Sequence, residues 1–194
     1  SSDPTPPEAV TLAAYARAIV AALTPDTILL GHSMGGYPVT LAAEAVAPRA
    51  LIYLTAYTPW PGKSIADMGR LGGHHTMAGM AEMALNRRSF TYRAEVADKF
   101  YHDCSEAARS EALARLTPQA VAPLTTAITP HRALTLTRHY ITCLPDRAIT
   151  PDQQAEMAAR FPAANRHEID TGHSPFLAAP ARLAQILHEI AEGS

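Results

Sequence analysis

Apolar positions cluster along this chain in short blocks separated by proline, glycine and charged residues. Between residues 6 and 23, Val10, Ala14, Ile19 and Leu23 recur at helical spacing, and Thr5 followed by two prolines and Glu8 supplies a first-turn signature. Pro25-Asp26 closes that block. Residues 27–30 (TILL) form a short continuous apolar run ending in glycine, the pattern of a buried parallel strand. A helix is expected from 34 to 47, stopped by Pro48, and a second β-type run, ALIYLT, follows at 50–55. Strand, helix and strand on short connections make a βαβ unit, so the expected fold class is α/β with a mostly parallel sheet flanked by helices. The cadence returns at the C-terminal end, with strands at 138–143 and 166–169 and helices at 151–160 and 180–192.

Residues 60–124 break this rhythm. They hold five glycines (62, 69, 72, 73 and 79), four of the six methionines and a helical stretch at 105–116. This segment reads as a small, mainly helical cap inserted over the sheet, between core parts at 1–59 and 125–194.

Composition narrows the possibilities. The 194 residues suit one domain, and 47% hydrophobic against 18% charged residues gives ample core material and argues against disorder. The net charge of −2 and the absence of any basic run remove the electrostatic attraction that nucleic acid or an anionic membrane requires. The longest apolar runs are about half a dozen residues, far below the ~20 of a membrane helix. Cys104 and Cys143 are too few to staple a fold of this size, and a cytoplasmic location is the expectation.

The chemistry sits in the turn Gly31-His32-Ser33-Met34-Gly35-Gly36. G-x-S-x-G between a strand and a helix is a nucleophile elbow: Ser33 is forced into a strained conformation, Gly31 and Gly35 remove colliding side chains, and Gly36 lets the helix approach the sheet. The Met34 amide would be one donor to an oxyanion. A hydroxyl nucleophile needs a base, and the base an orienting acid. His173, in TGHSP after the last strand, and Asp146, in LPDR after the preceding one, occupy loops at strand C-terminal ends, where open α/β sheets place their sites. Asp170, three residues before His173, is the rival acid, with Asp103 and Asp152 behind it. His32 adjoins Ser33 but leaves the elbow in another direction. His74-His75 lacks a carboxylate cluster and reads as cap surface, while Cys104 has no elbow and packs in the cap. No metal or organic cofactor is implied. Trp60, Met80, Phe100 and Tyr101, with Met68, Met77, Met83 and Phe90, are candidates to line an apolar substrate pocket in the cap.

These pieces resemble the α/β-hydrolase superfamily, and within it the small esterases related to plant methyl esterases, hydroxynitrile lyases and bacterial pyrethroid-hydrolase-like proteins. The resemblance rests on GHSMGG at 31–36, LIYLTAYTPWPG at 51–62, FYHDCS at 100–105, ITCLPDRAITPDQQ at 141–154 and DTGHSPFLAAP at 170–180. It implies the chain order Ser33, Asp146, His173 for the triad, and hydrolysis of a carboxylic ester with an apolar acyl or aryl group. Lyase chemistry is disfavoured, because the lysine that follows the histidine in the lyases is Ser174 here. The alternatives are a binding protein for small hydrophobic ligands on a hydrolase scaffold, or a lyase or acyltransferase using the same residues. The resemblance also implies strands ahead of the elbow strand and a His-Gly loop donating a second oxyanion amide. Neither has a counterpart in this sequence, and residues 27–30 alone would leave an apolar sheet edge. The expectation is an additional N-terminal segment, or a companion fragment, that completes the sheet.

Overall fold

In the computed structural model, which describes residues 5–73 and 76–193, the first helical block is broken in two. A 3-10 turn spans Pro7–Ala9, Val10 is extended, and helix α1 covers only Leu12–Val20. The cap explains the difference: Thr11, in extended backbone, accepts the Ala14 amide at 3.1 Å, so the helix starts there and not behind Thr5.

Strand β1 (Ile28–Ser33), helix α2 (Gly36–Ala45) and strand β2 (Ala50–Ala56) then form the expected βαβ unit. Next come α3 (Ile65–Met68), β3 (Ala81–Met83), β4 (Ser89–Tyr92), α4 (Ala97–Phe100), α5 (Glu106–Ala114), β5 (Gln119–Ala120) and α6 (Ala122–Thr125). The core resumes with β6 (Arg138–Cys143), α7 (Pro151–Ala158), β7 (Arg166–Ile169), α8 (Pro175–Ala178) and α9 (Pro180–Gly193).

The main sheet is parallel throughout, in the order β1-β2-β6-β7. Every residue of β2 is buried, which accounts for its unbroken apolar run. Successive residues alternate between two cores. Leu51 and Tyr53 join Tyr37, Tyr140, Met157 and Phe161 on one face. Ile52 and Leu54 join Ile141, Ile169 and the α9 residues Leu183, Ile186 and Ile190 on the other. Among the described strands β1 has one neighbour, β2, and its Ile28 and Leu30 are only partly buried.

Residues 60–124 are less helical than their sequence suggests. Between their short helices, β3, β4 and β5 form a three-stranded antiparallel sheet. A hairpin turns at Asn86-Arg87, with Arg87 at φ 55° and Asn86 Oδ1 accepting the Arg88 amide at 3.0 Å. Strands of two to four residues are too short for period-two alternation to register. The pair His74-His75 lies outside the described residues. No described helix is long and apolar enough to cross a membrane.

Candidate active site

The turn after β1 can be made only with its glycines. A Cβ on Gly31 would stand 2.7 Å from both Gly35 O and Val39 Cγ2, one on Gly35 would stand 2.7 Å from His32 O, and one on Gly36 would overlap the Tyr57 carbonyl. The β1–β2 register shifts between His32 and Ser33, and Ser33 is held at φ 54°, a left-handed conformation that costs a non-glycine residue about 1 kcal/mol or more. The Met34 amide, next after the serine, donates to no described residue.

Two loops at the C-terminal ends of the neighbouring strands meet this serine. His173, after β7, places Nε2 3.0 Å from Ser33 Oγ, and its Nδ1 lies 2.8 Å from Asp146 Oδ2 in the loop after β6. An ionised carboxylate only accepts, so Nδ1 carries the proton and Nε2 is free to accept from the serine hydroxyl. Both Asp146 and His173 are buried, at 3% and 2% exposure. The carboxylate is held on every side. Oδ1 accepts the Ala148 and Ile149 amides at 2.7 and 3.2 Å, and Oδ2 accepts the Thr55 hydroxyl at 2.5 Å. Thr55 is itself strained, a β-branched residue at φ 35° at the end of β2. Asp170, the rival acid, is exposed and makes no hydrogen bond to His173.

Three side chains hold His173 in ways that sequence reasoning missed. His32 Nε2 donates to the His173 carbonyl at 2.7 Å, and its ring lies 4.7 Å from the His173 ring. Burial, reinforced by His173, lowers the pKa of His32 to about 3, so it stays neutral. Phe100 stacks on the His173 ring at 5.1 Å and 23°. Asp103 Oδ2 accepts the Gly172 amide at 2.5 Å, tying the insertion to the histidine loop. The one sequence signal for the last two was the segment FYHD at 100–103, which carries both residues.

Ser33 and Met34 lie in the wall of a cavity of about 290 Å³. Ile65, Met77, Phe90, Leu124 and Ile149 give it an apolar lining, and Tyr57 and Tyr92 contribute phenols. Of the eight residues put forward from the sequence as pocket lining, Met77, Phe90 and Phe100 belong to it. Tyr101 is buried with its ring against Phe100, and Met80 is not among the lining residues. Trp60 lies beneath the Arg160 guanidinium in a separate cavity, because the PWPG segment continues past the site along the sheet face that carries Phe161. Met68 is core and Met83 is exposed. Among the described residues, no three His, Cys, Asp or Glu side chains gather as a metal would require.

A parallel sheet with a strained serine at a strand-to-helix turn, and an acid and a histidine on successive strand ends, defines an esterase-like hydrolase. The chain belongs to the alpha/beta hydrolase family, whose model matches residues 1–186. It is 28% identical over 183 residues to methylesterase 7 of Arabidopsis thaliana, covering 85% of this chain and 69% of that protein. It is 39% identical over 64 residues to a carbendazim hydrolyzing esterase of Nocardioides sp. (strain SG-4G), covering 30% of this chain and 26% of the esterase. Among solved structures, a pyrethroid hydrolase from Sphingobium faniae JZ-2 matches with a TM-score of 0.78 at 25% identity, over 94% of this chain and 78% of that one. Polyneuridine aldehyde esterase matches with a TM-score of 0.80 at 22% identity, over 93% and 80% of the two chains, a likeness of fold alone.

Proposed function

We propose that this protein is a serine esterase that cleaves carboxylic esters with apolar acyl or aryl groups through an acyl-enzyme. The observation that carries the reading is the Ser33–His173–Asp146 relay, with contacts of 3.0 and 2.8 Å, opening into an apolar cavity. Ser33 Oγ attacks the acyl carbon while His173 Nε2 takes its proton. The same imidazolium then protonates the leaving alkoxide, and a water activated by His173 releases the acid. Asp146 fixes the tautomer and stabilises the transient cation. The Met34 amide donates to the oxyanion. The second donor comes from a segment that pairs along the open edge of β1, and without it turnover falls about 10²–10³-fold. Its similarity to a methylesterase and to a carbendazim hydrolyzing esterase supports ester hydrolysis.

The test is intact-mass spectrometry after treatment with a fluorophosphonate, beside hydrolysis of a series of p-nitrophenyl esters. One adduct on the wild-type chain, none on Ser33→Ala, and turnover rising with acyl chain length are expected. Retention of a hydrophobic ligand by both proteins, with no adduct and no turnover, would replace this reading with a binding protein. Intact masses also reveal any companion fragment on the β1 edge.

A further inference from the structure

Four buried side-chain polar atoms of the described residues lack a hydrogen-bond partner: Thr58 Oγ1, Trp60 Nε1, His102 Nδ1 and His139 Nε2. The first two belong to residues of one cavity, of about 200 Å³, that shares no lining residue with the Ser33 cavity. Its walls divide cleanly. Pro59, Pro61, Leu134 and Phe161 are apolar, Arg138 and Arg160 bring guanidinium groups, and no acidic residue lines it.

Both cations stand over aromatic faces, Arg138 at 5.0 Å from the Phe161 ring centre and Arg160 at 4.5 Å from that of Trp60. Stacking of that kind occupies the faces of the guanidinium plane and leaves its in-plane N–H groups for an acceptor. Neither guanidinium takes part in the ion pairs or side-chain hydrogen bonds of the described residues; Arg138 accepts the Asn165 side chain only through its carbonyl. Burial and the nearby Arg160 cation pull the Arg138 pKa below its usual range, so the two like charges are held together at some expense. Trp60 Nε1 is a donor only, and so is every guanidinium nitrogen. The two guanidinium groups are the cavity's hydrogen-bond donors, no carboxylate side chain lines it, and Thr58, rings and aliphatic groups make up its remaining walls.

We propose that this cavity binds a small carboxylate with an apolar body. The carboxylate lies across Arg138 and Arg160, and the body packs against Trp60, Phe161 and Leu134. Phosphate fits less well, because its further oxygens would face proline and leucine walls with nothing to donate to them. Two charge-assisted bonds and a modest apolar contact, set against lost freedom of motion, give a dissociation constant on the order of 1 mM. The two cavities are adjacent along the chain, with Tyr57 in the wall of one and Thr58 in that of the other.

Trp60 is the sole tryptophan, so intrinsic emission reports on this cavity directly. The experiment titrates the protein with cyclohexanecarboxylate, its neutral carboxamide and inorganic phosphate, using wild type, Ser33→Ala, Arg138→Met and Arg160→Met. Expected is a saturable change in Trp60 emission with the carboxylate, unaltered in Ser33→Ala and weakened at least about tenfold in each arginine variant. The carboxamide and phosphate should bind at least about tenfold more weakly than the carboxylate. Absence of saturation, equal binding of the carboxamide, tighter binding of phosphate, or undiminished affinity in Arg160→Met would each overturn the proposal. Arg160 is exposed, so its variant tests the site even where Arg138→Met fails to fold.

Discussion

Replacing Thr55 by valine removes one hydroxyl and almost nothing else. The threonine is fully buried, and its hydroxyl donates to Asp146 Oδ2 at 2.5 Å. Valine keeps the β-branched shape at φ 35°, so the backbone strain is common to both proteins. What changes is the supply of donors to the carboxylate. Oδ1 keeps the Ala148 and Ile149 amides, while Oδ2 keeps only His173 Nδ1 and a long contact of 3.5 Å from Gln154 Nε2. Losing a hydrogen bond to a buried charged group costs about 1.5–3 kcal/mol. For a chain of this size that corresponds to a fall in Tm of about 4–9 °C. Turnover of a p-nitrophenyl ester should drop about 5–10-fold in kcat with KM nearly unchanged, because the Ser33 cavity is untouched while the imidazole loses part of its anchor. Thr55→Ser retains the hydroxyl and should stay close to wild type on both measures. Chemical denaturation and initial rates on the three proteins decide the matter. A valine variant as stable and as active as the serine variant would show that this hydroxyl does not hold the acid in place.

Three further outcomes are expected. Below pH 6.5 the unfolded chain binds a proton at His32 that the folded chain refuses until about pH 3, so stability declines on acidification through that window by up to about 1.4 kcal/mol per pH unit. His139 and His167, whose pKa values are also lowered by burial, act in the same direction. His32→Gln, which keeps a donor for the His173 carbonyl, should flatten the slope of denaturation midpoint against pH, and an unchanged slope would exonerate this histidine. Gly36→Ala drives a methyl group into the Tyr57 carbonyl and should cost more than about 3 kcal/mol, read as lost soluble yield or an early denaturation midpoint. Phe100→Ala removes the ring stacked on His173 and should lower kcat/KM about 3–10-fold, whereas Phe100→Leu recovers the cavity wall but not the stacking.

How far the residues alone reveal this protein depends on how local each signal is. The buried run of β2 was readable because both of its faces are covered, and the elbow because Gly31, Gly35 and Gly36 are steric necessities of one short turn. Asp146 and His173 could be placed because strand ends in a parallel sheet converge on one rim. The supports of the site were not readable. Thr55 meets Asp146 across 91 residues, His32 meets the His173 carbonyl across 141, and Asp103 meets Gly172 across 69. No periodicity encodes such pairs. The cavity lining was legible only in part, at Met77, Phe90 and Phe100: apolar side chains in the segment 60–124 look alike in sequence, and only the packing of its antiparallel sheet separates Phe90, which lines the cavity, from Met83, which faces solvent.

Residues 100–103 touch the histidine loop through Phe100 on the His173 ring, Asp103 on the Gly172 amide, and His102, whose ring is packed against Gly172. Lifting them away as a rigid flap would unstack the ring and release the amide together. Such a movement would loosen His173 on one side while Asp146 and His32 still hold it on the other. Movement of residues 97–104 and orientation of the His173 imidazole are thus mechanically linked, so a substitution that loosens one is felt by the other.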